Sequence, residues 1–272
     1  MKDFITMQKT YLVPTYINRG LTFVRGEGVY LITDTGDKYL DMMSNYGVNI
    51  FGYNNPAIQS ALHHQLDQII NVHGSFTNDI RAQASKALVA RCSGVGTYTH
   101  VYWSNSGTEA IEAALKFAVL KTGRKKFISA LGGYHGKTLG ALSATDSKKY
   151  RAPFEPLLWE FSTHTYGDSD ELLRTIDDTI AAVVIEPIQG ESGIILPPPE
   201  YLRTFRDACT RHGVLLILDE IQSGTGRTGT FLASEQSDIY GDIVCLGKGL
   251  AGGIAVGATV VTASVASSIP RG

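Results

Sequence analysis

The segment 181–219 has the sequence AAVVIEPIQGESGIILPPPEYLRTFRDACTRHGVLLILD. Its two ends, Ala181 to Glu186 and Val214 to Asp219, consist almost entirely of apolar residues, and residues 199–212 between them are predicted to form a helix. Continuous apolar strands joined through a helix are typical of neighbouring parallel strands that are covered on both faces. This segment therefore predicts the centre of an α/β sheet.

The same alternation continues on both sides of that segment. Further strands are predicted at 101–103, 126–130, 243–246 and 257–261, and a helix is predicted over about 107–121. These six strands predict an α/β fold with a mostly parallel sheet, which we expect to have seven strands in all, and helices on both faces. In such sheets ligands bind beyond the carboxyl ends of the strands, so the residues that follow each strand become the candidates for a site.

The composition favours an ordinary globular protein and excludes several function classes. The chain has 272 residues, 43% of them hydrophobic, and a formal net charge of −2. No global basic field favours nucleic acid or an anionic membrane. No run of eighteen apolar residues predicts a membrane span, and no signal peptide is evident at the N-terminus. Three widely spaced cysteines argue against a disulfide framework, so we expect a cytoplasmic protein.

A group of small residues follows the predicted strand 101–103. Ser104-Asn-Ser-Gly-Thr-Glu-Ala110 leads directly into the predicted helix. Small residues let the backbone approach a ligand closely, and a helix N-terminus offers unpaired N–H groups to an anion. Ser106, Gly107 and Thr108 are therefore candidates for binding phosphate. An ordinary helix start that is capped by Ser106 or Thr108 remains the alternative.

Gly132-Gly-Tyr-His-Gly-Lys-Thr138 follows the predicted strand 126–130. It resembles a P-loop, but that motif requires four residues between its glycines, and only three separate Gly132 from Gly136. Tyr134 could stack on a flat ring. His135 could bind a ligand or be a structural hydrogen-bonding residue.

Asp219 ends the most apolar strand of the chain. A buried carboxylate needs a compensating charge, which a protonated pyridine nitrogen or a nearby arginine such as Arg227 would supply. Gln222 follows three residues later and could reach a ring oxygen. Residues 224–229 match G-x-G-x-x-G, but the preceding strand ends too early and no helix starts there, so a nicotinamide-dependent oxidoreductase is only a distant alternative.

Lys248 lies between two glycines directly after the predicted strand 243–246. A lysine nucleophile must be partly desolvated so that its amine can lose its proton near pH 7. A lysine, an acid, an aromatic side chain and a phosphate-binding turn thus each follow a strand. These are the groups that a protein supplies to pyridoxal 5'-phosphate.

Several motifs of this chain occur together in one family. They are Gly26-Glu-Gly-Val-Tyr-Leu31, Ser106-Gly-Thr-Glu-Ala110, Tyr134-His-Gly-Lys-Thr138, Glu186-Pro-Ile-Gln-Gly-Glu191, the run 218–229 and Gly247-Lys-Gly-Leu250. In order and spacing the chain resembles class III, ornithine/acetylornithine-type aminotransferases of fold type I. The resemblance covers essentially all 272 residues.

The resemblance implies a cofactor site for pyridoxal 5'-phosphate. In it, Lys248 would be the Schiff-base lysine and general base, and Asp219 would keep the pyridine nitrogen protonated. Gln222 would contact the ring oxygen, and Tyr134 would stack on the ring. The remaining implied contacts are those of Ser106, Gly107, Thr108 and His135.

The resemblance also implies the substrate contacts. Tyr46 aligns with a substrate-contacting tyrosine, and Glu191 with an acid near the amino end of the substrate. Lys137 stands where the family usually has a carboxylate-binding arginine, and lysine lacks the bidentate geometry of arginine. The family also continues beyond the end of this chain into a loop that reaches the partner's cofactor and a C-terminal small domain. We therefore expect that small domain to be missing and the 272-residue chain alone to be a poor enzyme.

The expected function follows from that resemblance. It implies transfer of an amino group from N-acetylornithine, or a similar basic or acylated amino acid, to 2-oxoglutarate by a homodimer. The alternatives are an ornithine, 4-aminobutyrate or other ω-amine transaminase, and an inactive fragment that needs a separate C-terminal part. Small-molecule amino acids and 2-oxo acids are the expected partners. Residues 1–50 are expected to belong to the family's small domain, and residues 51–272 to be the cofactor-binding large domain.

Overall fold

The structure, a computed structural model, describes residues 3–93 and 97–271. It divides into two compact units, Met1–Val72 and His73–Gly272. No helix within the described ranges is long and apolar enough to cross a membrane.

The first unit contains a small antiparallel sheet in the order β1-β2-β3. Its elements are α1 (Phe4–Tyr11), β1 (Phe23–Glu27), β2 (Tyr30–Thr33), β3 (Lys38–Leu40), α2 (Ser44–Gly47) and α3 (Pro56–Leu66). The single turn α2 has left-handed backbone, with φ of 48°, 49° and 56° at Ser44, Asn45 and Tyr46. These values are uncommon for residues other than glycine, so the surrounding contacts must hold the turn.

Tyr53 and Asn54 contact the small sheet of the first unit, and the domain boundary at residue 50 stays a prediction. Tyr53 forms an isolated bridge with Gly28, and its hydroxyl donates to Asp41 Oδ2 at 2.7 Å. The Asn54 side chain donates to the Gly26 carbonyl. These contacts attach the residues after 50 to the small sheet, whereas the assignment of each unit to a family domain stays a prediction.

The second unit is built on a sheet of seven strands in the order β4-β10-β9-β8-β7-β5-β6. The strands are β4 (Tyr98–Ser104), β5 (Lys126–Ala130), β6 (Glu160–His164), β7 (Ile180–Ile185), β8 (Leu215–Asp219), β9 (Ile243–Leu246) and β10 (Gly257–Thr262). β10 pairs antiparallel with both β4 and β9, and the other pairs are parallel. The predicted mostly parallel sheet of seven strands is thus confirmed.

Helices cover both faces of this sheet, as predicted. They are α4 (Asp79–Cys92), α5 (Gly107–Thr122), α6 (Leu139–Ala144), α7 (Lys148–Arg151), α8 (Ser169–Thr175), α9 (Tyr201–His212) and α10 (Ala263–Ala266). Alternate residues of the central strand β8 contribute to two separate apolar clusters. Leu216 and Leu218 pack with residues of α4, α8 and α9. Leu215 and Ile217 pack with residues of α5, α6 and α10.

The strand directions bring six strand ends to one edge of the sheet, and five of them concern the candidate site. Because β4 and β9 are both antiparallel to β10, β4 runs in the same direction as the parallel strands. Ser104, Ala130, Ile185, Asp219 and Leu246 therefore end their strands at the same edge. The loops that follow these five residues carry most of the candidate site.

Candidate active site

Asp219 forms a buried ion pair with His135. Asp219 is 3% exposed, and its Oδ2 accepts a hydrogen bond from His135 Nδ1 at 2.7 Å. Its Oδ1 accepts from the Ile221 N–H at 3.1 Å. The side chain that pairs with Asp219 is therefore His135, which is positively charged when protonated, and not Arg227, which the sequence left open as an alternative.

His135 is held rigidly in the loop after β5. It is 3% exposed, and its backbone N–H donates to Thr145 Oγ1 at 2.9 Å. Burial lowers the pKa of the imidazole, but the hydrogen bond to Asp219 and the charges of Asp219 and Glu186 raise it, and the net direction is upward. These contacts favour an imidazolium that keeps its Nδ1 proton directed at Asp219.

Lys248 follows β9 in a left-handed conformation with φ of 42°. Its side chain is half-buried, and burial lowers its pKa although the charges of Asp219, Glu191 and Glu186 raise it. A lysine whose pKa is lowered has a larger neutral fraction near pH 7, which nucleophilic and proton-transfer chemistry require. Asp219 is thus near enough to Lys248 for its charge to act on the pKa of the lysine.

The N-terminus of α5 lies at the same edge. Ser106 is its N-cap, with Oγ 3.3 Å from the Glu109 N–H, and the Glu109 carboxylate accepts from the Asn105 N–H at 2.7 Å. The sequence left open whether Ser106 or Thr108 caps this helix, and the structure shows that Ser106 does. A Cβ at Gly107 would lie 2.9 Å from Ile221, so this helix start has no space for a side chain there.

Thr108 joins the start of α5 to the loop after β5. Its Oγ1 is 2.7 Å from Thr138 Oγ1, and it also accepts from the Thr138 N–H at 3.3 Å. Gly136 is required beside it, because a Cβ at that position would collide with the Thr108 side chain. The predicted phosphate-binding residues and the Tyr134–Thr138 motif are therefore in direct contact.

Tyr134 and Lys137 belong to the same loop as Thr138. The Tyr134 N–H donates to Glu186 Oε1 at 3.0 Å, and its ring meets Tyr150 edge to face with centroids 6.4 Å apart. Lys137 is exposed, and its Nζ lies 5.0 Å from the centroid of the Tyr150 ring. Stacking of Tyr134 on a cofactor and binding of a substrate by Lys137 stay predictions.

Gln222 packs against the loop after β7. A Cβ at Gly190 would overlap Gln222 Oε1, so a side chain at that position would displace the end of Gln222. Glu191, the next residue, is exposed and contributes its charge to the surroundings of Lys248. Tyr46 lies instead in the first unit, on the left-handed turn α2 with 56% of its surface exposed. The substrate roles of Glu191 and Tyr46 stay predictions.

The structure adds one residue that the sequence analysis did not select. Glu186 directly follows β7, is 6% exposed, and accepts from the backbone N–H groups of Tyr134 and Gly190 at 3.0 Å each. Its position after a buried apolar strand is the same signal that selected Asp219. Within residues 3–93 and 97–271, no cluster of three His, Cys, Asp or Glu side chains is arranged to hold a metal ion.

The arrangement combines a lysine of lowered pKa, a buried carboxylate and a helix N-terminus at one sheet edge. Residues 14–272 match the family model described as class-III aminotransferase. The chain belongs to the class-III aminotransferase family. The family predicted from the sequence motifs is thus confirmed.

Relatives and solved structures of this family resemble the chain over nearly its whole length. Acetylornithine aminotransferase of Methanopyrus kandleri is 44% identical over 96% of this chain and 67% of the relative. A putative LysW-aminoadipate semialdehyde/glutamate semialdehyde transaminase of Pyrococcus furiosus is 42% identical over 90% of the chain and 66% of the relative. The ornithine aminotransferase of Toxoplasma gondii has a TM-score of 0.93 at 30% identity, over 99% of this chain and 65% of that structure. The chain therefore spans about two thirds of the length of its relatives.

Proposed function

We propose that this chain supplies the cofactor site of an aminotransferase that moves an amino group from N-acetylornithine to 2-oxoglutarate with pyridoxal 5'-phosphate. The observation that carries the proposal is Lys248, whose pKa is lowered by burial at the sheet edge where Asp219 and His135 form their ion pair. A lysine in such surroundings is suited to attack a carbonyl group and to carry a proton between two carbon atoms.

The residues at this edge fit pyridoxal 5'-phosphate. When bound, this cofactor supplies a pyridine ring that accepts electrons from the substrate. The fit rests on the N-terminus of α5, whose first residue Gly107 carries no side chain, and on the buried Asp219 carboxylate. An anion binds favourably at a helix N-terminus, and a buried carboxylate favours a protonated ring nitrogen.

Each cofactor contact has a proposed role. Lys248 attaches the cofactor and moves the proton, and Asp219 holds the proton on the ring nitrogen. His135 orients Asp219 through its Nδ1 hydrogen bond. The other proposed contacts are Tyr134 against the ring, Gln222 at the ring oxygen, and Ser106, Gly107 and Thr108 at the phosphate.

The proposed substrates are small amino acids and 2-oxo acids. N-acetylornithine is the first candidate donor because acetylornithine aminotransferases of three organisms are 38–44% identical to this chain. We assign Lys137 to a substrate carboxylate as a point charge, and Tyr46 and Glu191 to the amino end of the substrate. A homodimer is the proposed assembly.

A second donor class has a specific observation in its favour. The Pyrococcus furiosus relative, whose name refers to aminoadipate semialdehyde and glutamate semialdehyde, is 42% identical to this chain, close to the 44% of the Methanopyrus kandleri relative. Another ω-amine, whose transamination gives such a semialdehyde, is therefore the second candidate, together with free ornithine and 4-aminobutyrate.

The test begins with attachment of the cofactor. Protein incubated with pyridoxal 5'-phosphate should gain a visible absorption band that borohydride removes, and peptide mapping should find the pyridoxyl group on Lys248. Lys248→Ala should show neither result and no turnover, whereas Asp219→Asn should keep the cofactor but change its absorption. Attachment at another lysine would contradict the assignment.

The donor is tested on the same preparation. N-acetylornithine, ornithine, 4-aminobutyrate and a further ω-amine are each supplied with 2-oxoglutarate, and formation of glutamate is followed. N-acetylornithine is expected to give the highest kcat/KM. Attachment of cofactor without turnover of any donor would favour the alternative of an inactive part that requires a further polypeptide.

A further inference from the structure

Glu186 binds two loops with one carboxylate. Its Oε1 accepts from the Tyr134 N–H in the loop after β5, and its Oε2 accepts from the Gly190 N–H in the loop after β7, each at 3.0 Å. The backbone around Glu186 is also fixed, because the Tyr166 hydroxyl contacts the carbonyls of Glu186 and Pro187 at 3.1 and 2.9 Å. Hydrogen bonds to a buried carboxylate are among the stronger interactions in a protein.

The two loops carry different parts of the proposed cofactor site. The first presents Tyr134 and His135, and the second places Gly190 directly against the Gln222 side chain, with no space for a Cβ between them. Movement of either loop would change the position of the Tyr134 ring or of the Gln222 amide.

The charge of Glu186 acts on the same site. It raises the pKa of His135 and that of Lys248, and burial raises its own pKa while His135 lowers it. The titratable groups around it are His135, Asp219, Lys248 and Tyr166. Because both oxygens already accept backbone hydrogen bonds and the side chain is buried, Glu186 is not suited to remove a proton from a substrate.

We propose that Glu186 is a positioning residue, whose carboxylate fixes the spacing between the loop of Tyr134 and the loop of Gly190 and so orders the surface that receives the cofactor. The part of this inference that concerns the cofactor rests on the proposed function. The hydrogen bonds of Glu186 to the two loops do not depend on the proposed function. The loop contact and the effect on the cofactor are therefore tested separately.

The first experiment compares Glu186→Gln with Glu220→Gln in protein without added cofactor. Glutamine keeps the length of the side chain, but its amide group can accept only one of the two backbone hydrogen bonds. Glu220 is the matched control, since it is buried after β8 but binds Ser223 Oγ and the N–H groups of Ala233 and Ser234. Amide hydrogen exchange at Tyr134 and Gly190 should become at least tenfold faster in Glu186→Gln only.

The imidazole pKa of His135 gives a second measurement, which a general loss of stability would not lower. This pKa, followed by NMR, should fall in Glu186→Gln and stay at the wild-type value in Glu220→Gln. If the pKa of His135 and both amide exchange rates in Glu186→Gln equal those of the wild type, the positioning role is wrong. Equal changes in the two variants would also overturn it.

A titration of the wild type needs no variant and applies even if Glu186→Gln does not fold. As the pH falls, the amide proton shifts of Tyr134 and Gly190 should move together with one midpoint above 4.5, the ordinary value for glutamate. Separate midpoints would mean that one carboxylate does not hold both loops.

The cofactor is added last. The dissociation constant for pyridoxal 5'-phosphate should rise about tenfold in Glu186→Gln and less in Glu186→Asp, which keeps the charge. An unchanged constant in both variants would overturn the role in ordering the cofactor surface. A wild-type protein that attaches no cofactor to Lys248 would instead count against the proposed function, while amide exchange and the His135 titration would still decide the loop contact.

Discussion

His135 and Asp219, separated by 84 residues in the sequence, form an ion pair of 2.7 Å in which both side chains are at least 97% buried. The pair connects the loop after β5 to the end of β8, across the intervening strand β7. A buried charge that loses its partner is strongly destabilising, so this pair links the stability of the chain to the geometry of the proposed site.

Loss of the imidazole is expected to destabilise the fold. His135→Leu leaves the Asp219 carboxylate buried without its cation, and breaking a buried pair in this way costs about 3–5 kcal/mol. His135→Asn is the matched variant, because its amide N–H can still donate to Asp219, and its loss should be clearly smaller. Urea unfolding of the two variants at pH 7 checks this order, and equal losses would contradict it.

The contribution of the His135–Asp219 pair to the free energy of unfolding should decrease as the pH rises. The pKa of His135 is raised in the folded protein above its ordinary value of 6.5, so the folded state binds the proton more tightly. The contribution is therefore fully present below pH 6.5 and is lost as the pH rises through the raised folded pKa. The difference in unfolding free energy between the wild type and His135→Asn should shrink over that window. A difference that grows with pH would show that the imidazole is neutral in the folded state.

The rule about strand ends explains what could be predicted from the sequence. Asp219 and Lys248 each follow an apolar run, and parallel strands bring such ends to one edge, so both could be selected without a structure. Glu186 follows β7 in the same way but was not selected. Its partners are the backbone N–H groups of Tyr134 and Gly190, and backbone contacts leave no distinctive side chain in the sequence.

The parts of the fold that were missed share a different cause. The edge strand β6 (Glu160–His164) has a single hydrophobic residue, Phe161, in five positions, and among the described residues it pairs with β5 alone, so it lacks the continuous apolar character of the central strands. The attachment of Tyr53 to the small sheet likewise depends on a long-range contact, that between its hydroxyl and Asp41. Contacts between distant residues have no local periodicity by which to recognise them.

Gly107→Ala tests the close packing at the start of α5. The added Cβ would lie 2.9 Å from both Cδ1 and Cγ2 of Ile221, and Cγ2 is fixed directly on the Ile221 Cβ and cannot turn away freely. Overpacking of this kind costs about 1–3 kcal/mol. We expect a loss of that size in unfolding free energy and a weaker affinity for inorganic phosphate and pyridoxal 5'-phosphate.

A second substitution separates this collision from other effects. Ile221→Ala removes both atoms that the new Cβ would meet, so Gly107→Ala should cost much less in that background. Gly74→Ala is the control, because nothing lies within 4 Å of a Cβ at that position. Additive losses for Gly107→Ala and Ile221→Ala in a double-mutant cycle would show that the two residues are not in contact.

Lys248→Met should stabilise the protein without cofactor at neutral pH. Burial lowers the pKa of Lys248 from its ordinary value of 10.5, so the unfolded state binds the proton more tightly than the folded state. Stability therefore rises as the pH rises from the folded pKa towards 10.5, and the advantage of the methionine variant should shrink over that range. Lys116→Met, on the exposed side of α5, corrects for the general effect of removing one lysine charge. Chemical denaturation of the three proteins between pH 7 and pH 10 measures the difference. A methionine variant that is less stable than the wild type at pH 7 would mean that Asp219, Glu186 and Glu191 outweigh the burial of Lys248, and that this lysine is not prepared for covalent chemistry.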